Sequence, residues 1–131
     1  MRIMIDTNVI ISAILKRGSI PDLVLNYVCE NHDLVLCDHI IDESYSVALK
    51  RFPQKLVVLD DIFARLRYEL VPAPRVGGFE MRDIKDQPII NAAIAYDVDV
   101  LVTGDGHFAE LAIRRPEILK PSEFLNQYMF E

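Results

Sequence analysis

The chain has 131 residues, 51% of them apolar and 26% charged, with a formal net charge of −6. That length suits one domain with a proper hydrophobic core, and the acidic balance argues against a broad basic platform held to nucleic acid by many phosphate contacts. No apolar run reaches the roughly 18 residues of a membrane span, and Cys29 and Cys37 lie too far apart for a C-x-x-C motif, so they read as buried thiols of a cytoplasmic protein.

In chain order, "RIMI" is a strand entered at once, with no basic leader or small-residue cleavage site before it. Asp6-Thr7-Asn8 then interrupts the apolar run, and a helix follows over roughly Asn8–Lys16. Gly18-Ser19 breaks that helix, and Pro21 opens another that ends near Asn31. "LVLC" (Leu34–Cys37) is the second strand. Asp38 can cap the next helix, on which Ile41, Tyr45, Ala48 and Phe52 recur at helical spacing.

From Pro53 to Glu69 the stripe Leu56, Leu59, Phe63 and Leu66 predicts one amphipathic helix. "LVPAP" is a brief strand stopped by prolines, and "RVGGFEMRDIK" has no periodicity and reads as an exposed loop. Helix returns over Asp86–Tyr96, strand over Val98–Thr103, and a short helix after Gly106. "EILK" is the last strand and leads into the helix "PSEFLNQY". Such alternation predicts an α/β fold: a single-domain, three-layer α/β/α sandwich around a parallel sheet of about five strands.

Ligands of open parallel sheets sit outside the carboxyl ends of the strands. Asp6 directly follows the first strand, and Asp105 follows the strand "VDVLVT" after one glycine. Glu43 lies early in the helix after the second strand, and Asp86 starts the helix before the fourth. Each acid has a structural explanation as well. Asp6 and Asp86 suit helix caps, Glu43 answers a helix dipole, and Asp105 sits in a turn. Gathered at one sheet edge, however, carboxylates repel one another unless a cation lies among them. Mg²⁺ or Mn²⁺ is the hard, oxygen-ligated choice, and metal-assisted phosphodiester hydrolysis is the chemistry such a site supports. His107 follows Asp105 closely but reads as a helix-start or solvent-facing residue; His32 and His39 have no partner at ligand spacing.

The blocks "IDTNVIISAIL", "DESYSVALKRF", "RDIKDQPIINAAIAYDVDVLVTGDGHF" and "ILKPSEFL", in this order, resemble the PIN-domain ribonucleases. The similarity is greatest to the branch of toxin components of toxin–antitoxin systems, relatives of the VapC-type toxins, and it runs over essentially the whole chain, residues 1–131. The resemblance implies a metal-dependent endoribonuclease whose four acids are Asp6, Glu43, Asp86 and Asp105. Asp6 and Asp86 would be the principal Mg²⁺ (or Mn²⁺) ligands, Asp105 a direct or water-mediated ligand, and Glu43 a ligand or the orienter of the attacking water. Asp83, three residues before Asp86, is either a fifth acid or a surface neighbour, the second being the favoured reading. Asn8 and Thr103 would hold Asp6 and Asp105 from behind. Products with 5′-phosphate and 3′-hydroxyl ends, a cognate antitoxin protein and a homodimer or higher homo-oligomer are further implications. Lys16, Arg17, Lys50 and Arg51 are the candidate guides for the RNA substrate.

Two other functions compete. A phospho-acceptor receiver domain would make "LVVLDD" a strand ending in an acceptor Asp60 or Asp61, with Thr103 as its switch hydroxyl and the lysine of "LKP". A catalytically silent relative would keep the sheet as an RNA-binding or protein-binding module.

Overall fold

The strand β1 (Arg2–Ile5) is buried from Ile3 onward, with no alternation between faces. A strand covered on both sides has no solvent face to mark with polar residues, and "RIMI" accordingly reads as a continuous run. A computed structural model describes residues 1–74, 87–109 and 111–130 of the chain. β1 is the centre of a five-stranded, wholly parallel sheet.

Asp6 ends β1 and occupies the cap of α1 (Thr7–Leu15). Gly18, at φ +82°, makes the turn into α2 (Ile20–Asn31), whose proline sits in the first turn, where no intrahelical N–H is needed. β2 (Asp33–Cys37) lies beside β1 and runs into α3 (Asp38–Arg51). Cys37 holds the cap position of α3, and Asp38 is its first residue. The Asp38 Oδ1 accepts from the backbone N–H groups of His39 and Ala73, both at 2.8 Å, so it ties the start of α3 to the chain beyond the third strand.

The stretch expected as one helix from Pro53 to Glu69 is a 3₁₀ turn (Pro53–Lys55), then α4 (Leu56–Arg65), then β3 (Glu69–Val71). Leu66 is already extended at φ −67° and ψ 139°. Glu69 pairs with Val35 of β2, and this sheet pairing overrides a helical stripe that would have carried on. Asp60 and Asp61 therefore lie within a helix and not at a strand end. Asp60 accepts from the Tyr45 hydroxyl and Asp61 pairs with Arg65 at 2.8 Å, which removes the geometry a receiver would need.

α5 (Gln87–Ala95) leads to β4 (Val100–Val102), and α6 (Gly106–Ala109) leads to β5 (Glu117–Leu119). β4 is shorter than the expected Val98–Thr103, because Asp97 turns the chain at positive φ and Asp99 is held across the strand start. The final segment is a four-residue α7 (Pro121–Phe124) followed by a π-turn over Leu125–Met129, not one regular helix. The segment read as a loop, 75–85, lies outside the described residues.

The strand order is β3-β2-β1-β4-β5. The chain thus winds outward from β1 in one direction, then reverses to place β4 on the other side of β1. That reversal opens a crevice at the carboxyl ends of β1 and β4. Ile3, Met4, Ile5, Leu36, Leu101 and Val102 pack the middle of the sheet without exposure. Among the described residues, no helix is long and apolar enough to cross a membrane.

Candidate active site

Asp6 and Thr103 are the residues that follow β1 and β4, and the register Ile5↔Val102 sets them side by side. The Thr103 hydroxyl donates to Asp6 Oδ2 at 2.7 Å, and the Thr7 backbone N–H donates to Asp6 Oδ1 at 2.7 Å. Both carboxylate oxygens are therefore fixed, one by the helix start and one by the neighbouring strand. The capping role and a place in the site coexist in one side chain.

The Thr103 oxygen also accepts from the Asp105 backbone N–H at 3.0 Å. Asn8 Oδ1 accepts from the Gly104 N–H at 3.2 Å, so the two polar neighbours brace the loop that carries Asp105. Asp105 caps α6 through the His107 N–H, at 2.8 Å from Oδ1. The His107 ring is half exposed, with Nδ1 3.4 Å from that same oxygen.

Glu43 projects from α3 into the same space. One cavity of about 370 Å³ is lined by Asp6, Glu43 and Asp105 together with Thr7, Asn8 and Arg51. Its apolar wall comes from Ile11 and Leu15 of α1 and from Val47 and Phe52 at the far end of α3. Of the four bases taken as RNA guides, Arg51 alone lines this cavity, with its guanidinium 5.4 Å from the Phe52 ring centre. Arg17 is engaged with Asp22 at 3.4 Å. Lys16 closes the C-terminus of α1, and Lys50 is exposed near the end of α3. Asp86 and Asp83 lie outside the described residues.

Asp6 is only 3% exposed. Burial is the main force pushing its carboxyl up to about 6, and the charges of Glu43 and Asp105 push the same way, against the Thr103 and Thr7 hydrogen bonds. Among the described residues, no basic side chain forms an ion pair with Asp6. A cation beside a buried acid with like charges on two sides would relieve that repulsion, and all-oxygen donors suit a hard ion. Among the described residues no three carboxylate, imidazole or thiol groups close tightly enough to hold a metal by themselves. The described acids Asp6, Glu43 and Asp105 line the one cavity without forming such a group.

Two polar groups at the site carry no mark that residue type alone would reveal. The Thr7 hydroxyl is buried without a hydrogen-bond partner among the described residues, being at a helix start where no preceding turn offers a carbonyl. His39 Nε2 lies 3.8 Å from Glu43 Oε2. The spacing of these two residues, four apart on one helix, is the signal that would have found the pair.

The sequence matches the family described as PIN domain over residues 2–107. No curated protein matches the chain. Among solved structures the chain is similar to VapBC2 from Rickettsia felis, crystallised with a DNA fragment from its promoter. That match has 21% identity and a TM-score of 0.65, covering 92% of this chain and 98% of the other. It is also similar to VapC20 of Mycobacterium tuberculosis, a toxin that cleaves the sarcin–ricin loop. There the identity is 11% and the TM-score 0.59, over 82% of this chain and 92% of the other. At such identities the likeness is one of fold.

Proposed function

The chain belongs to the PIN-domain family, and from that premise we propose that it is a divalent-metal-dependent endoribonuclease, the toxin of a toxin–antitoxin pair. The observation that carries the reading is the meeting of Asp6, Glu43 and Asp105 around one cavity at the sheet's switch point.

Asp6 and Asp86 would be the principal ligands of the cation, with Asp105 a direct or water-mediated one. A bound Mg²⁺ or Mn²⁺ supplies Lewis-acid polarisation of a phosphoryl oxygen and makes a water more acidic. The remaining work belongs to the chain. Thr103 and the Thr7 N–H hold Asp6 in one orientation, so that no side-chain freedom is lost when the site fills. Asn8 and Thr103 brace the Asp105 loop. Glu43, less buried than Asp6, orients the attacking water and accepts its proton, and the water oxygen enters in line with the leaving 3′-oxygen. Products then carry 5′-phosphate and 3′-hydroxyl ends. Arg51 faces the incoming RNA phosphates and offsets the acids, which is the local base an acidic protein needs.

The likeness to VapBC2 and VapC20 supports an antitoxin partner and an RNA target. The apolar wall of Ile11, Leu15, Val47 and Phe52 is suited to an antitoxin segment that covers the acids, and the protein is proposed to act as a homodimer or larger assembly.

The test is cleavage of single-stranded and loop RNA by the purified protein in Mg²⁺ or Mn²⁺, beside Asp6→Asn made the same way. Cleavage lost in the variant and in EDTA is expected. Equal cleavage by both proteins would overturn the proposed site.

A further inference from the structure

Two of the three described acids are held in place by the fold. Asp6 is fixed at both oxygens, and Asp105 at Oδ1 by the His107 N–H and through its own N–H by Thr103. Glu43 has the longest side chain of the three and no hydrogen bond among the described residues. Its single partner among them is His39, one helical turn earlier on α3.

The His39 side chain is 31% exposed, yet its Nε2 is shielded from solvent and has no hydrogen-bond partner among the described residues. A buried ring nitrogen without a partner is costly to keep, so its place needs a reason. The acceptor in reach is Glu43 Oε2 at 3.8 Å, a distance that a small change of either rotamer closes to a hydrogen bond.

Resting on the nuclease reading above, we infer that His39 is a positioning residue: its Nε2–H donates to Glu43 Oε2 and aims the other carboxylate oxygen at the attacking water. All three acids are then anchored. Thr103 and the Thr7 N–H hold Asp6, Thr103 and Asn8 hold the Asp105 loop, and His39 in the first turn of α3 holds Glu43. Leucine at position 39 fills similar space but donates nothing, whereas glutamine restores an N–H donor at the same helical position.

Two measurements test this. In the full-length protein, the ¹⁵N resonance of His39 Nε2 is expected to move on Glu43→Gln and to stay in place on Asp42→Asn. In RNA cleavage, His39→Leu is expected to lower kcat by about 10–100-fold, the usual effect of losing a partner behind a site group, with KM within about twofold. His39→Gln should recover most of that loss. A resonance that ignores Glu43→Gln overturns the inference, as does full activity of His39→Leu in a preparation whose Asp6→Asn control is inactive. Retained cleavage by Asp6→Asn would instead overturn the nuclease reading, and the resonance would still decide whether His39 holds Glu43.

Discussion

Asp6→Asn removes a charge that the fold pays to keep, so the variant should be more stable than the parent while losing cleavage. The Asp6 carboxyl rises from 3.8 to about 6 in the folded protein, chiefly through burial. Below about pH 3 the acid is protonated in both folded and unfolded chains, and the substitution changes little. As the pH climbs towards 6 the unfolded chain ionises freely while the folded one resists, and stability drains away until the folded group has ionised too. Two pKa units at about 1.4 kcal/mol each put the full penalty near 3 kcal/mol above pH 7, falling to about 1 kcal/mol at pH 4.5. Asparagine keeps an acceptor for the Thr7 N–H and can turn its amide towards Thr103, so most of this should be recovered. For a domain of this size the gain corresponds to a rise of about 5–10 °C in Tm at pH 7.5. Urea unfolding at both pH values, without metal and then with millimolar Mn²⁺, is the assay. Mn²⁺ should stabilise the parent and leave the variant unchanged, which narrows the gap. A variant no more stable at pH 7.5, or one whose advantage is the same at pH 4.5, would refute the argument that burial and neighbouring carboxylates strain Asp6.

Other changes should act in different ways. Thr103→Val removes the donor to Asp6 Oδ2 and the acceptor of the Asp105 N–H, so single-turnover cleavage should slow by about 10–100-fold while circular dichroism stays native. Arg51→Ala should raise KM for RNA, leave kcat nearly constant, and lessen the dependence of binding on salt by about one phosphate contact, read from binding at several salt concentrations. Asp99 ties the Arg2 N–H and the Arg115 guanidinium to the opposite edge of the sheet, at 2.8 Å each, and these partners hold its carboxyl below the usual range. Asp99→Ala should cost about 1 kcal/mol after allowance for its partial exposure. That cost is present at neutral pH and fades as acid protonates Asp99, the opposite trend to Asp6. Specific cleavage by the folded fraction should be unchanged.

Most of the architecture was legible because its strands are buried on both faces. "RIMI" and "LVLC" are continuous apolar runs that need no partner to be recognised, and the glycines and prolines between elements punctuate them. Asp6, Glu43 and Asp105 could be placed at one sheet edge for the same reason, since each follows a strand whose direction the alternation of strand and helix sets. The end of α4 was not legible. Leu66 continues the apolar stripe of Leu56, Leu59 and Phe63, and nothing local says that Glu69 will pair with Val35. The shortening of β4 likewise depends on Asp99 meeting Arg2, ninety-seven positions away.

The chemistry of the site divides along the same line. Periodicity, caps and the acids' places at strand ends are local properties, set within a few residues by backbone geometry and side-chain type, and the sequence alone determined them. Which groups touch is not local. The order β3-β2-β1-β4-β5 makes β1 and β4 neighbours, so Thr103 reaches an acid ninety-seven positions earlier. Packing around Asp6 excludes the water that would otherwise stabilise its charge, and only the tertiary structure decided that this aspartate, outwardly a helix cap, is a strained carboxylate beside two others.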